Sequence, residues 1–383
     1  MRVYSKLEEE NIRTRALVRE WIRSGLMDQE RGSSLAEQLR TDLVRTNDFL
    51  RLILLLFTGL ILLAGVFIVV ELANIRGARA TAFLCSISAV VFYALAELAI
   101  NRYRLYRFGV EEALALASVG FIIAAAIQMV WDARGTSIRG MSLAIGAIGA
   151  LLLYGRFGFV YAGVAAIACA ASIPFPLIQS EVTRHLLSGA ILAAIFVFAR
   201  FRYLAHGDDF PGDDYSVFQS SAWAGLYLVL NMQITGSSER GWFYWFTYVM
   251  IWLLPIAGLV MSIRKKERLL IDVSAAMALA TLMTNKSYLG LPRQTWDPIL
   301  FGLFLMAAAI LIRRWLARGP NGNRFGFTPA RILNKDARLM TIVSTVSAAF
   351  QPQTPSQAPA ATAANRPEVH GGRSGGAGAT GEF

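Results

Sequence analysis

Between Leu52 and Ile312 the chain carries roughly ten separate runs of mostly apolar residues, each about 14 to 24 residues long. No water-soluble fold of 383 residues has enough interior to hide them all. Lipid offers the backbone no hydrogen-bond partners, so a spanning segment must satisfy its own N–H and C=O groups as a helix. A bilayer core about 30 Å thick takes a helix of roughly 20 residues. The runs therefore predict an all-α fold: a polytopic transmembrane helix bundle of about ten spans.

Composition enters through charge. Charged residues make up only 16% of the chain, against 55% hydrophobic, and mean hydropathy is +0.47. The net charge of +11 would suggest a nucleic-acid partner in a soluble protein. Here the basic residues are mostly arginines at span ends, where they favour the anionic cytoplasmic leaflet, so the expected partner is the lipid bilayer and not nucleic acid. Cys85 and Cys169 both lie inside apolar runs, which argues against a disulfide framework or a zinc site.

Residues 1–50 contain no apolar run of signal-peptide length and read as a short N-terminal cytoplasmic helical hairpin. Ser5 with Glu8 fits a capping box, and Leu17, Val18 and Trp21 share a face at helical spacing. Gly25 suits a left-handed helix end, Asp28 the next cap, and Leu35, Leu39 and Leu43 a second stripe. With ten Lys/Arg against nine Asp/Glu up to Arg51, the pair reads as solvated and charge-balanced, or else as a partner-docking module. Residues 51–318 form the bundle. Residues 319–350 form a juxtamembrane segment in which Ala337–Phe350 suits an amphipathic surface helix, and 351–383 a disordered Pro/Ala- and Gly-rich tail.

The spans are placed at about 52–73, 80–100, 111–131, 140–154, 157–178, 185–201, 217–235, 242–263, 269–285 and 297–317. The fourth is short and the seventh contains Asn231 and Gln233. Counting loops and flanks, one side holds sixteen basic residues and the other eight, which predicts both termini on the cytoplasmic side of an inner membrane. Small residues four apart, such as Ala162, Ala166 and Ala170, signal close helix packing.

The densest polar segment is Thr284–Pro298, the turn between the last two spans. Lys286, Tyr288, Arg293, Trp296 and Asp297 make a candidate pocket there, with the two cations holding an anionic small molecule or lipid headgroup and the aromatics walling it. The same residues also suit an interfacial anchor followed by an Asp–Pro helix start. Glu97 is the candidate intramembrane acid, one turn from Arg102, since a carboxylate at membrane depth needs a partner or a wet cavity. Glu71, Glu111, Glu112 and Asp272 are weaker cases. The loop His206–Tyr215 holds four carboxylates, but its spacing matches neither an EF-hand nor an aspartate-rich prenyl-transfer helix. The aromatics Trp242–Trp252 suit a headgroup-level belt, and Pro174, Pro176 and Pro255 suit helix kinks or breaks of the kind transporters use.

The N-terminal pair, with Trp21, Gly25, Leu26 and Asp28 ahead of Leu35–Leu43 and the spans, resembles the bacterial membrane family called domain of unknown function 2157. The tail Gly371–Phe383 is similar to glycine-rich ends of several bacterial membrane proteins, including some with a TPM domain. The resemblance implies a bacterial inner-membrane location and no reaction. No P-loop, zincin helix, nucleophile elbow or dinucleotide glycine run occurs, so no catalytic residue, metal or cofactor is expected. The leading expectation is a non-enzymatic protein of transport or membrane organisation. The alternative is an intramembrane enzyme for a lipid-linked or polyprenyl substrate, which needs Asp208–Asp214 to converge with Arg200 and Arg202.

Overall fold

The computed structural model describes residues 3–23, 25–129, 136–205, 214–235, 241–292, 294 and 296–319. Arg293, most of the acidic loop, and the juxtamembrane and tail segments expected after Gly319 lie outside the described residues.

Ser5 opens the first helix as its spacing predicts: its Oγ accepts from the Glu8 N–H and donates to the Glu8 carboxylate, both at 3.1 Å. This helix is α1 (Lys6–Arg23), followed by α2 (Gln29–Gln38). Gly25 turns the chain between them at φ +70, where only glycine is unstrained. Asp28 stands at the cap position of α2 but makes no side-chain cap bond. Gly32 gives α1 and α2 their close approach, because a Cβ there would run into Ile22.

The apolar runs become α3 (Asp48–Leu72), α4 (Ala78–Tyr103), α5 (Val110–Met129), α6 (Thr136–Phe157), α7 (Val160–Ser172), α8 (Pro174–Leu177) and α9 (Glu181–Ala205). They continue as α10 (Asp214–Leu230), α11 (Met232–Thr235), α12 (Trp242–Lys265), α13 (Arg268–Tyr288) and α14 (Asp297–Ala317). Among the described residues, eight segments are long and apolar enough to cross a membrane: α3, α4, α5, α6, α7 with α8, α9, α12 and α13. The segment expected at 140–154 is longer than its apolar run, because α6 continues to Phe157, which is 1% exposed. The described residues contain no strand, and one isolated parallel bridge joins Val44 to Leu105.

α4 packs on α5, α6 on α7, α9 on α10 and α12 on α13 as antiparallel neighbours across short connections, whereas α3 packs on α5. The end at which α3, α5, α7, α10 and α13 begin is the near end; the other is the far end. The N-terminal segment lies against the near end. Val3 donates its N–H to the Arg156 carbonyl, Tyr4 its hydroxyl to the Leu105 carbonyl at 2.8 Å, and Arg13 reaches Asp214 at 3.3 Å. Burial, with the nearby carboxylates Glu111, Glu112 and Glu9, holds the Tyr4 hydroxyl protonated well above the ordinary tyrosine range.

Two buried clusters form the interior. One joins α1, α4, α5, α6 and α7 around Phe92, Leu114, Leu153 and Phe157; the other joins α9 to α13 around Phe196, Trp223, Tyr227 and Tyr288. Large apolar side chains stay exposed outside these clusters, and the apolar window of α3 contains no buried residue at all. That pattern suits lipid, where covering an aliphatic side chain with another helix gains little.

Candidate functional site

Three interruptions of regular helix mark the α7–α13 half, and each follows from a residue that cannot sustain the backbone ladder. Pro174 ends α7, and the fifth expected span divides there into α7 and α8. At Asn231 the chain leaves α10 and resumes as α11, its Oδ1 taking the Gln233 N–H at 3.2 Å. Pro255 sits inside α12 and leaves the Ile251 carbonyl without its i+4 donor.

At each interruption a backbone carbonyl bonds a side chain on a neighbouring helix. Ser188 of α9 donates to the Ala171 carbonyl. Nδ1 of His185, one turn earlier on α9, bonds the Val229 carbonyl at 2.7 Å, and Thr281 of α13 reaches the Ile251 carbonyl at 2.8 Å. A carbonyl only accepts, so Nδ1 of His185 carries the proton and, in the neutral ring, Nε2 holds a lone pair. His185 is 0% exposed, its Nε2 has no hydrogen-bond partner among the described residues, and Phe175 and Phe243 flank the ring. Two helix breaks therefore meet at one buried imidazole near the far end.

From there a polar seam follows α10, α12 and α13 toward the near end. Asn231 donates to the Tyr227 hydroxyl at 3.1 Å and to Thr284 at 3.3 Å; Tyr227 in turn lies 3.0 Å from Thr281. Tyr288 accepts the Met232 N–H at 2.7 Å, Gln233 donates to Tyr244, and Tyr244 donates to the Tyr288 carbonyl. At the near end Arg200 donates to both oxygens of Glu267 at 2.6 Å, and Gln219 donates to the same carboxylate at 2.8 Å. Glu267 has a fully buried side chain and Arg200 keeps 15% exposure.

Between these two networks Trp223 Nε1 and Ser274 Oγ are buried with no hydrogen-bond partner among the described residues, as is Ser220 Oγ on α10. Trp223 and Ser274 converge on Gly258, since a Cβ there would collide with both polar atoms. On α10 the polar side chains Gln219, Trp223, Tyr227 and Asn231 recur every four residues, which keeps them on one face. The signal was present in the sequence, disguised by Trp and Tyr counting as apolar.

The residues singled out from the sequence are placed as follows. Lys286 pairs with Asp297 at 2.5 Å and stands 5.7 Å from the centre of the Trp296 ring, so these three meet in the α13–α14 turn. Asp297 also accepts the Gln294 N–H at 2.9 Å. Tyr288 turns away from them into the seam, 1% exposed, and Arg293 lies outside the described residues. Glu97 forms a bidentate pair with Arg156, at 2.6 and 3.1 Å, and accepts from Tyr93 and Asn101; its partner is not Arg102. Arg200 is committed to Glu267, and Arg202 stands over the Tyr215 ring at 5.8 Å. Asp214 is held by Arg13 and Tyr154, while the rest of the acidic loop is outside the described residues. Among the described residues no group of His, Cys, Asp or Glu has the arrangement of a metal site.

Comparison with protein families, curated proteins and solved structures returns no match to this chain.

Proposed function

We propose that this protein is a non-enzymatic, transport-type integral membrane protein whose path for a small polar solute follows the α10–α12–α13 seam. The observation that carries the reading is the meeting of two helix breaks at His185, at one end of a polar column that ends at Glu267. Irregular backbone at membrane depth persists only where protein or a wet cavity satisfies it, and discontinuous helices are a recurring device of solute sites. Polar groups left without partners in mid-bundle favour a path over a pure scaffold.

In this reading α10 with α11 and the 21-residue α14 complete ten spans, both termini are cytoplasmic, and the membrane is a bacterial inner membrane. The N-terminal pair is then the cytoplasmic hairpin of a protein akin to domain of unknown function 2157. Lys286, Trp296 and Asp297 form an interfacial group beside the far mouth of the path. Glu97, held by Arg156, Tyr93 and Asn101, has a structural role.

The test is hydrogen–deuterium exchange on the full chain in nanodiscs. Hinges at the breaks would make residues 171–178 and 229–235 exchange faster than the interiors of α4 and α5. Protection at the breaks equal to that in α4 and α5 would mark the interruptions as rigid packing features and remove the support for transport.

A further inference from the structure

The first turns of α3, α5 and α7 meet at the near end, away from the seam. Arg51 comes from α3, Glu112 from α5 and Tyr161 from α7. Gly109, at φ +107, brings α5 against α3: a Cβ there would collide with the Arg51 carbonyl. Arg51 clamps Glu112 through Nε at 2.8 Å and Nη2 at 2.5 Å, which neutralises that carboxylate.

This ion pair and Tyr161 are shared by two adjoining cavities. One, of about 240 Å³, is also bounded by the charged Glu9 and Arg107 and by the turn from Phe157 to Val160. The other, of about 350 Å³, is a groove floored by Leu52, Leu55 and Leu116 on the apolar faces of α3 and α5. A charged chamber opening onto an aliphatic groove matches the two halves of an amphiphile.

The chamber also holds uncommitted donors. Arg107 stacks on Tyr106, 5.5 Å from the ring centre, and makes no ion pair among the described residues. The Tyr161 hydroxyl is buried with no hydrogen-bond partner among the described residues. Asn47 caps α3 and Glu111 accepts the N–H just ahead of α5, whereas the cap residue of α7, Phe159, supplies no side-chain bond. The first N–H groups of α7 thus add a partial positive charge beside Arg107. A phosphate oxygen satisfies all three kinds of donor.

We propose that this junction is a phospholipid site. The phosphodiester lies against Arg107, Tyr161 and the start of α7, and one acyl chain runs along the Leu52–Leu55–Leu116 groove. Glu9 on the chamber wall selects a zwitterionic headgroup, because its charge opposes a dianionic free phosphate and suits an ammonium group. The site uses none of the residues of the solute path, so it stands or falls separately.

The test is native mass spectrometry of the full-length protein in detergent, titrated with dioleoylphosphatidylethanolamine. Phosphoethanolamine, which lacks the chains, serves as the soluble comparison. The Arg107→Gln/Tyr161→Phe variant keeps the Arg51–Glu112 clamp and the stacking of ring 161 on Phe159, so it preserves the fold while removing two donors. The proposal expects wild-type protein to bind one lipid, the variant to bind about tenfold or more weaker for the loss of a charged hydrogen bond, and phosphoethanolamine not to compete. Leu55→Trp, which fills the groove, weakens lipid binding as well. Equal lipid binding by wild type and the donor variant overturns the proposal. Competition by phosphoethanolamine at the lipid's own concentration also overturns it, by making the chamber a site for a soluble ligand.

Discussion

Nδ1 of His185 lies 2.7 Å from the carbonyl oxygen of Val229, the last-but-one residue of α10, and so closes the gap that the break at Asn231 opens. One side chain thereby fixes the end of one helix, the start of another and its own tautomer. Replacing His185 with leucine would strand the Val229 carbonyl in an apolar setting, at a cost of about 1–3 kcal/mol. Thermal unfolding in detergent should show the loss, and His185→Asn, which keeps a donor, should recover part of it. Unchanged stability in the leucine variant would mean that the carbonyl needs no side-chain partner.

The Arg200–Glu267–Gln219 cluster makes a prediction with a built-in control. Glu267→Gln leaves a largely buried guanidinium without its counter-charge, a change that costs about 3–5 kcal/mol. Replacing both partners with methionine removes the stranded charge, so the double variant should be markedly more stable than the Glu267→Gln protein. A double variant as unstable as the single one would show that the cluster's value lies in its hydrogen bonds and not in charge balance.

Alkaline pH should loosen the N-terminal segment. The hydroxyls of Tyr4 and Tyr106 are both held protonated above the usual range, mainly by burial. A group whose folded value exceeds its unfolded value of about 10 gives its full stabilisation below that pH and loses it as pH rises toward the folded value. Trypsin cleavage around Arg13 and Arg15 should therefore accelerate above about pH 10, and Tyr4→Phe should blunt the rise. A cleavage rate flat across that range would contradict the docking described for Tyr4.

The α13–α14 turn gives a weaker expectation. Lys286 and Asp297 are partly exposed, at 38% and 23%, so Lys286→Gln should change stability by no more than about 1 kcal/mol. Carried together with Arg293→Gln, it separates the two readings of this turn. An interfacial anchor predicts unchanged insertion and unchanged activity, whereas an anion pocket predicts normal insertion with lost ligand binding.

Eight of the spans were legible because apolar length is a local property, and each coincides with a described helix, or with α7 and α8 together, long and apolar enough to cross a membrane. The proline breaks were legible for the same reason, since Pro174 removes its own N–H. Partnerships across the bundle were not. Arg200 and Glu267 are 67 residues apart, and nothing local to Glu97 selects Arg156 over the nearer Arg102. His185 was passed over because a lone histidine at the start of an apolar run has no sequence signature; its meaning comes from Val229, Phe175 and Phe243 around it. Asn231 and Gln233 weakened the seventh span in sequence terms, and those same two residues make the break and its hydrogen bonds. Tyr288 was grouped with its sequence neighbours, but a helix turns adjacent residues by about 100° and sends it inward.

The central claim is that the α10–α12–α13 seam is reached by water, and a cysteine at Ser274 reads this out. Cys85 and Cys169 are first replaced with alanine, and the Ser274→Cys protein is treated with a small, membrane-impermeant methanethiosulfonate in right-side-out and in inverted vesicles. Ala96→Cys, in the other buried cluster, provides the dry reference. The account predicts that the Ser274 position is modified from at least one face far faster than the Ala96 position. Ser274→Cys as inert as Ala96→Cys from both faces would contradict it and leave the seam as dry packing.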